Sequence, residues 1–216
     1  MARPVCIATG FSDAINVMSR CEEHSGSASL SALILAGGES RRMGRDKAWL
    51  EANGQPLIRG AIATARELGS QEVFISGRAG KDYSSLGCPV LLDRHTGSGP
   101  LAGIERGLEA CGSPLLLVLA VDLPGMNVAF LRKLLDLCGS STGVVPMLSG
   151  HFEPLAAIYP KASHAVVMEC LNQSRYAASA FARECIHHNL VTTYQVGPEE
   201  AGFFANWNSV ADVREM

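Results

Sequence analysis

Excess positive charge is missing from this chain: 18 lysines and arginines stand against 21 aspartates and glutamates, a formal net charge of −3. Non-specific nucleic-acid binding leaves a strongly basic footprint, so no nucleic-acid partner is expected. Long apolar runs are missing too. Hydrophobic residues make up 47% of the sequence, yet the longest apolar strand, Leu115 to Val121, is far too short to cross a bilayer, and no membrane partner is expected. The 7 cysteines (6, 21, 88, 111, 138, 170 and 185) are odd in number and contain no Cys-x-x-Cys pair. That excludes the usual zinc spacing and any evident disulfide framework, and reduced thiols suit a cytoplasmic protein. His187-His188 is adjacent, so its rings should diverge on a helix or strand rather than share a metal. No Gly-Lys-Ser/Thr follows the glycines, which rules out a Walker P-loop.

What is present organises into one domain. The 216 residues suffice for a single substantial core. Residues 1–30 read as a flexible N-terminal extension: Pro4 and Gly10 break the segment, and it exits through Ser25-Gly26-Ser27-Ala28-Ser29. Arg3 and the short apolar stretch do not make a secretory signal, because Thr9-Gly10, Ser12 and Asp13 interrupt any hydrophobic region. From Ser31 to residue 216, strands alternate with helices. Strands are expected at Leu33–Leu35, Glu72–Ser76, Val90–Leu92, Leu115–Val121, Val144–Pro146, Leu155–Tyr159 and Val191–Val196. Helices are expected from Pro56 to about Leu68, Pro100–Ala110, Asn127–Leu137, as a pair within 161–188, and as a short closing helix after Asn208. Continuous apolar strands in βα alternation predict an α/β fold: one three-layer, Rossmann-like domain with a mostly parallel sheet covered on both faces. Ligands of such sheets sit beyond the carboxyl ends of the strands, so Gly37-Gly38, Asp93 and Asp122 should share one rim.

The densest information lies in Leu35-Ala36-Gly37-Gly38-Glu39-Ser40-Arg41-Arg42-Met43-Gly44-Arg45-Asp46-Lys47. Two glycines at a strand exit let bare backbone approach a ligand. The cations that follow suit a nucleoside triphosphate, whose oxygens accept from amides and side chains alike. Arg42 offers a planar fork and Lys47 a compact point charge. Asp122 ends the most apolar strand, where a carboxylate needs water, a hydrogen bond or a metal. Gly97-Ser98-Gly99-Pro100-Leu101-Ala102 imitates a dinucleotide-binding fingerprint. The residues Asp93-Arg94-His95-Thr96 separate it from its strand, however, and Pro100 removes an amide that a pyrophosphate would need.

The run from Leu35 to Lys47 resembles the L-A-G-G-x-S-x-R-M-G-x-D-K signature of the molybdenum cofactor guanylyltransferases, within the nucleotidyltransferase superfamily. The likeness continues in order through Gly99-Pro100-Leu101-Ala102-Gly103, Asp122-Leu123-Pro124, Glu153-Pro154-Leu155 and Asn206-Trp207-Asn208. The resemblance implies transfer of GMP from GTP to the terminal phosphate of Mo-molybdopterin. Leu35, Ala36, Gly37, Gly38, Lys47 and Asp93 would contact GTP, Asp122 would hold Mg²⁺, and Arg42, Lys47 and Asp122 would carry the reaction. Asn206 or Asn208 is a candidate second metal ligand, and cofactor-delivery proteins or apo-molybdoenzymes are candidate partners. Guanine donates from N1–H and N2–H, so Asp93 is chemically suited to accept from it.

The resemblance also has departures. A family contact falls near Ser76, where an amide side chain would be usual, and Glu153 precedes Pro154 where histidine is frequent. The close is Asn206-Trp207-Asn208-Ser209-Val210 rather than Asn-x-Asn-Thr-Pro. Gly37 and Pro100-Leu101-Ala102-Gly103 favour guanine over the sister cytidylyltransferases. Two further readings suit the same rim: a sugar-phosphate nucleotidyltransferase, whose family shares the glycine-rich opening, and a non-catalytic module that binds and delivers the cofactor.

Overall fold

A computed structural model describes residues 29–37, 47–52, 54–95 and 97–206. The expected extension over 1–30 therefore lies outside the described residues up to residue 28. So do Gly38, Arg42, Asn208 and the helix expected after Asn208.

The elements run β1 (Leu30–Leu35), a 3₁₀ turn (Lys47–Trp49), β2 (Glu51–Ala52), β3 (Gln55–Pro56), α1 (Leu57–Glu67), β4 (Glu72–Gly77), a 3₁₀ turn (Ser84–Leu86), β5 (Val90–Leu92), α2 (Pro100–Ala110), β6 (Leu115–Ala120) and α3 (Val128–Asp136). Then come β7 (Gly143–Leu148), β8 (His151–Phe152), β9 (Ala156–Pro160), α4 (Ser163–Asn172), α5 (Ala178–His187), β10 (Val191–Gln195) and a 3₁₀ helix (Pro198–Phe204).

One sheet in the order β10-β7-β9-β6-β1-β4-β5 forms the middle layer, with β8 paired to β7; β2 and β3 make a separate two-stranded ribbon. Alternation along each strand serves two cores. Ala32, Ile34, Leu117 and Leu119 face α1 and α3, where Ile58, Ile62, Leu131 and Leu134 pack. Leu33, Leu35, Leu116 and Val118 face Leu101, Ile104 and Leu108 of α2 and, further along, Val167 of α4 and Phe181 of α5. Two buried faces explain why the strands read as unbroken apolar runs.

The first half of the sheet is parallel throughout: β1 pairs β4 and β6, and β4 pairs β5, all in parallel. β9 departs from this, running antiparallel to both β6 and β7. The chain thus reverses once between two parallel groups, so the sheet is mainly but not wholly parallel. The segment 198–204 is a further element that periodicity did not announce. Its Glu200 accepts from Lys133 Nζ and Tyr194 Oη, both at 2.8 Å, and Phe203 and Phe204 lie against Phe130.

Gly143, at the start of β7, is where the reversal leaves least room. A Cβ there would run into the carbonyl oxygen and carbon of Ile158, and backbone cannot yield as a side-chain tip can. Gly143→Ala should destabilise the domain by about 1–3 kcal/mol, the usual cost of overpacking. A urea unfolding curve checks this, and an unchanged midpoint would show that β7 and β9 separate without penalty.

Candidate nucleotide site at the carboxyl rim of the sheet

Parallel pairing brings four strand exits to one edge. Leu35 is in register with Ser76 on one side and Ala120 on the other, and Gly77 is in register with Leu92. From β1 the chain proceeds outward to β4 and β5, then returns to β6 on the opposite flank of β1. The chain order therefore switches direction between β1 and β6, and in sheets of this kind ligands sit beyond the strands at such a topological switch point.

The β1 exit is tightly tied. Ala36 N–H donates to the Ser76 carbonyl (3.1 Å), and Val121 N–H donates to the Leu35 carbonyl (3.3 Å). The Ala36 amide is thus committed to β4. A Cβ on Gly37 would come to 3.8–3.9 Å from the Ser76 carbonyl and hydroxyl oxygens, ordinary contact rather than a clash. The glycine is therefore not imposed by crowding at this point.

Across the switch point, Lys47 Nζ lies 3.6 Å from Asp122 Oδ2, with both side chains about a quarter exposed (23% and 28%). The carboxylate that sequence left in need of a partner has this cation. Lys47 opens the 3₁₀ turn whose Ala48 is buried and whose Trp49 stacks on Tyr83, with ring centroids 6.5 Å apart and planes 20° from parallel.

Asp93, just past β5, stands on the α2 side of the rim. Partial desolvation, then the nearby Glu105 carboxylate, push its carboxyl above the ordinary range; the Ser76 hydroxyl and the Arg106 and Arg78 guanidinia pull it back. Ser76 itself is buried, with Gly103 of α2 against it. A Cβ on Gly103 would meet the Ser76 hydroxyl and come within 3.0 Å of Leu35 Cδ2. This is the physical reason for the last glycine of Gly99-Pro100-Leu101-Ala102-Gly103: α2 must approach the β1–β4 floor closely. Gly99 enters α2 at φ +60°, which glycine adopts without strain, and Pro100 occupies the first helical turn where no amide bond is lost.

Two acids were not anticipated in this role. Glu105 is buried on α2 with Oε1 3.4 Å from His164 Nε2, and it biases Asp93 through its charge. Glu153 lies between β8 and β9, and burial raises its carboxyl while His151 opposes the shift. The register of β9 against β6, and the bond from Ala120 N–H to the Leu155 carbonyl, put Glu153-Pro154-Leu155 at the same rim. Of the late asparagines only Asn206 is described, and it is exposed. His187 and His188 do not diverge as expected, because their rings meet edge to face at 5.4 Å. Among the described residues no three histidine, cysteine, aspartate or glutamate side chains form a metal cluster. No described helix is long and apolar enough to cross a membrane.

Fold comparison fixes the class: the molecule has the nucleotidyltransferase fold. It is similar to molybdopterin-guanine dinucleotide biosynthesis protein A from Archaeoglobus fulgidus (TM-score 0.66, 22% identity, 85% of this chain and 94% of that one). It is also similar to 2-C-methyl-D-erythritol 4-phosphate cytidylyltransferase from Thermus thermophilus (TM-score 0.64, 19% identity, the same coverage). In sequence, it is 36% identical over 186 residues to a probable molybdenum cofactor guanylyltransferase from Opitutus terrae, spanning 85% of this chain and 92% of that protein. The MobA-like NTP transferase domain matches residues 32–189, and the chain belongs to that family.

Proposed function

We propose that this protein transfers GMP from GTP to the terminal phosphate of Mo-molybdopterin, giving the guanine dinucleotide cofactor and pyrophosphate. The observation that carries the reading is the meeting of Lys47 and Asp122 at the switch point, 3.6 Å apart, in a chain so similar over its length to a protein named for that reaction. An acceptor phosphate oxygen forms the new bond to the α-phosphorus of GTP, the bond to the β-phosphate oxygen breaks, and pyrophosphate leaves. The attacking monoester is already anionic near neutral pH, so no general base is required. The residues have to align two mutually repelling phosphates and neutralise the developing charge. Lys47 meets the phosphates as a point charge, Arg42 as a fork, the backbone of Leu35, Ala36, Gly37 and Gly38 walls the nucleotide, and Asp93 accepts from the guanine edge.

Asp122 fits a hard divalent cation. It offers one partly exposed carboxylate without an all-protein cage among the described residues. That suits Mg²⁺, which keeps phosphate and water oxygens among its ligands. When bound, Mg²⁺ would supply charge neutralisation at the phosphates. Cytoplasmic action, and exchange of product with cofactor-delivery proteins or apo-molybdoenzymes, belong to the same proposal.

Pyrophosphate release with each of the four NTPs and purified molybdenum cofactor tests it, and GTP alone should support turnover. Preference for CTP would overturn the base assignment. UTP with a sugar phosphate would point to a sugar-phosphate nucleotidyltransferase, and no release with any NTP would leave a binding or delivery module.

A further inference from the structure

Arg78 follows β4 immediately, and its guanidinium reaches across to β1: Nε and Nη2 both donate to the Gly37 carbonyl, at 2.9 and 2.8 Å. We propose that Arg78 is a positioning residue for the nucleotide, holding the backbone at the point where β1 opens into the Gly38–Asp46 segment. This rests on the nucleotide-transfer reading above and adds to it a residue outside the family signature.

Glycine samples more backbone than any other residue, so a Gly-Gly strand exit is where local sterics fix the chain direction least. Capture of the Gly37 carbonyl fixes the direction in which that oxygen points at the strand exit. Two donors on one edge of a planar guanidinium, converging on a single oxygen, hold that peptide plane more firmly than one flexible ammonium could.

Arg78 is itself anchored. Its backbone N–H donates to Tyr83 Oη at 3.4 Å. The preceding Gly77 has no room for a Cβ, which would lie 2.7 Å from both Tyr83 Cε2 and Val90 Cγ1. Tyr83 in turn stacks on Trp49, in the same 3₁₀ turn as Lys47. Thus Gly37 and the turn that carries Lys47, which flank residues 38–46, both lean on residues just beyond β4: Gly37 on Arg78, and Trp49 of the turn on Tyr83. The Arg78 charge also bears on Asp93, where it weakly opposes the rise that desolvation and Glu105 impose on the carboxyl.

The test compares Arg78→Met, which keeps the stem and removes the donors, with Arg78→Lys, which restores one cationic donor. GTP dissociation constants come from calorimetric titration, and KM and kcat from pyrophosphate release. For Arg78→Met, Kd and KM should rise about ten- to a hundred-fold, the equivalent of losing a charge-assisted hydrogen-bond pair. Saturating kcat should stay within about three-fold, since no reacting atom is touched. Arg78→Lys should recover part of the binding loss. Unchanged Kd and KM in Arg78→Met overturn the assignment, as does a fall in kcat with KM unaltered, which would put Arg78 on the reacting phosphates. A wild-type protein that binds no NTP overturns the nucleotide reading itself and the Arg78 assignment with it. Normal wild-type binding with an unaffected variant overturns the assignment alone.

Discussion

Asp122→Ala should lower kcat by on the order of 10²–10³-fold, the size of effect seen when one preorganised electrostatic group is removed from a reacting centre. The expectation follows from its position just beyond β6, beside the switch point, where it pairs with Lys47 and presents a partly exposed carboxylate. The fold should survive. A partly exposed pair at 3.6 Å is worth about 1 kcal/mol at most, so Tm should drop by no more than about 2–4 °C. Turnover measured across a Mg²⁺ titration, beside a thermal melt, separates the two effects. Wild-type turnover at limiting Mg²⁺ would remove Asp122 from the metal role.

The second large effect is expected at Lys47. Lys47→Ala should reduce kcat/KM for GTP about ten- to a hundred-fold, corresponding to a lost charge-assisted phosphate contact of about 1.5–3 kcal/mol. Lys47→Arg should rescue poorly. Lys47 rises from a 3₁₀ turn fixed by buried Ala48 and by Trp49 on Tyr83, so a longer planar head cannot take the place of an ammonium set for Asp122 and the phosphates. Arg45→Ala, at a variable position of the signature and outside the described residues, is the control and should behave nearly as wild type. Steady-state kinetics on the three variants decide it. Equal losses at 45 and 47 would reduce the segment to a diffuse basic patch.

Much of the candidate site was legible because strand exits announce themselves. Leu35 to Gly37, Leu92 to Asp93 and Val121 to Asp122 each change from apolar to glycine or carboxylate within one or two residues, and the structure sets these exits on one edge. β4 ends by the same rule in Gly77-Arg78, yet Arg78 did not stand out. An arginine after a strand is ordinary until its guanidinium is seen on the Gly37 carbonyl. Glu105 hid for a different reason. Helical position alone cannot tell a buried acid from a solvated one, and its burial depends on α4 bringing His164 alongside.

By itself the sequence determined the alternation of strands and helices, the two-faced burial of the strands and the family, since each is written in local period and motif order. The tertiary structure alone decided the strand order, the antiparallel insertion of β9 between β6 and β7, and the pairing of Lys47 with Asp122. Periodicity marks the apolar faces of strands and helices but carries no information about which strand lies beside which. That choice is made when helices on both faces pack over a particular order, and it sets which distant polar side chains meet at the rim.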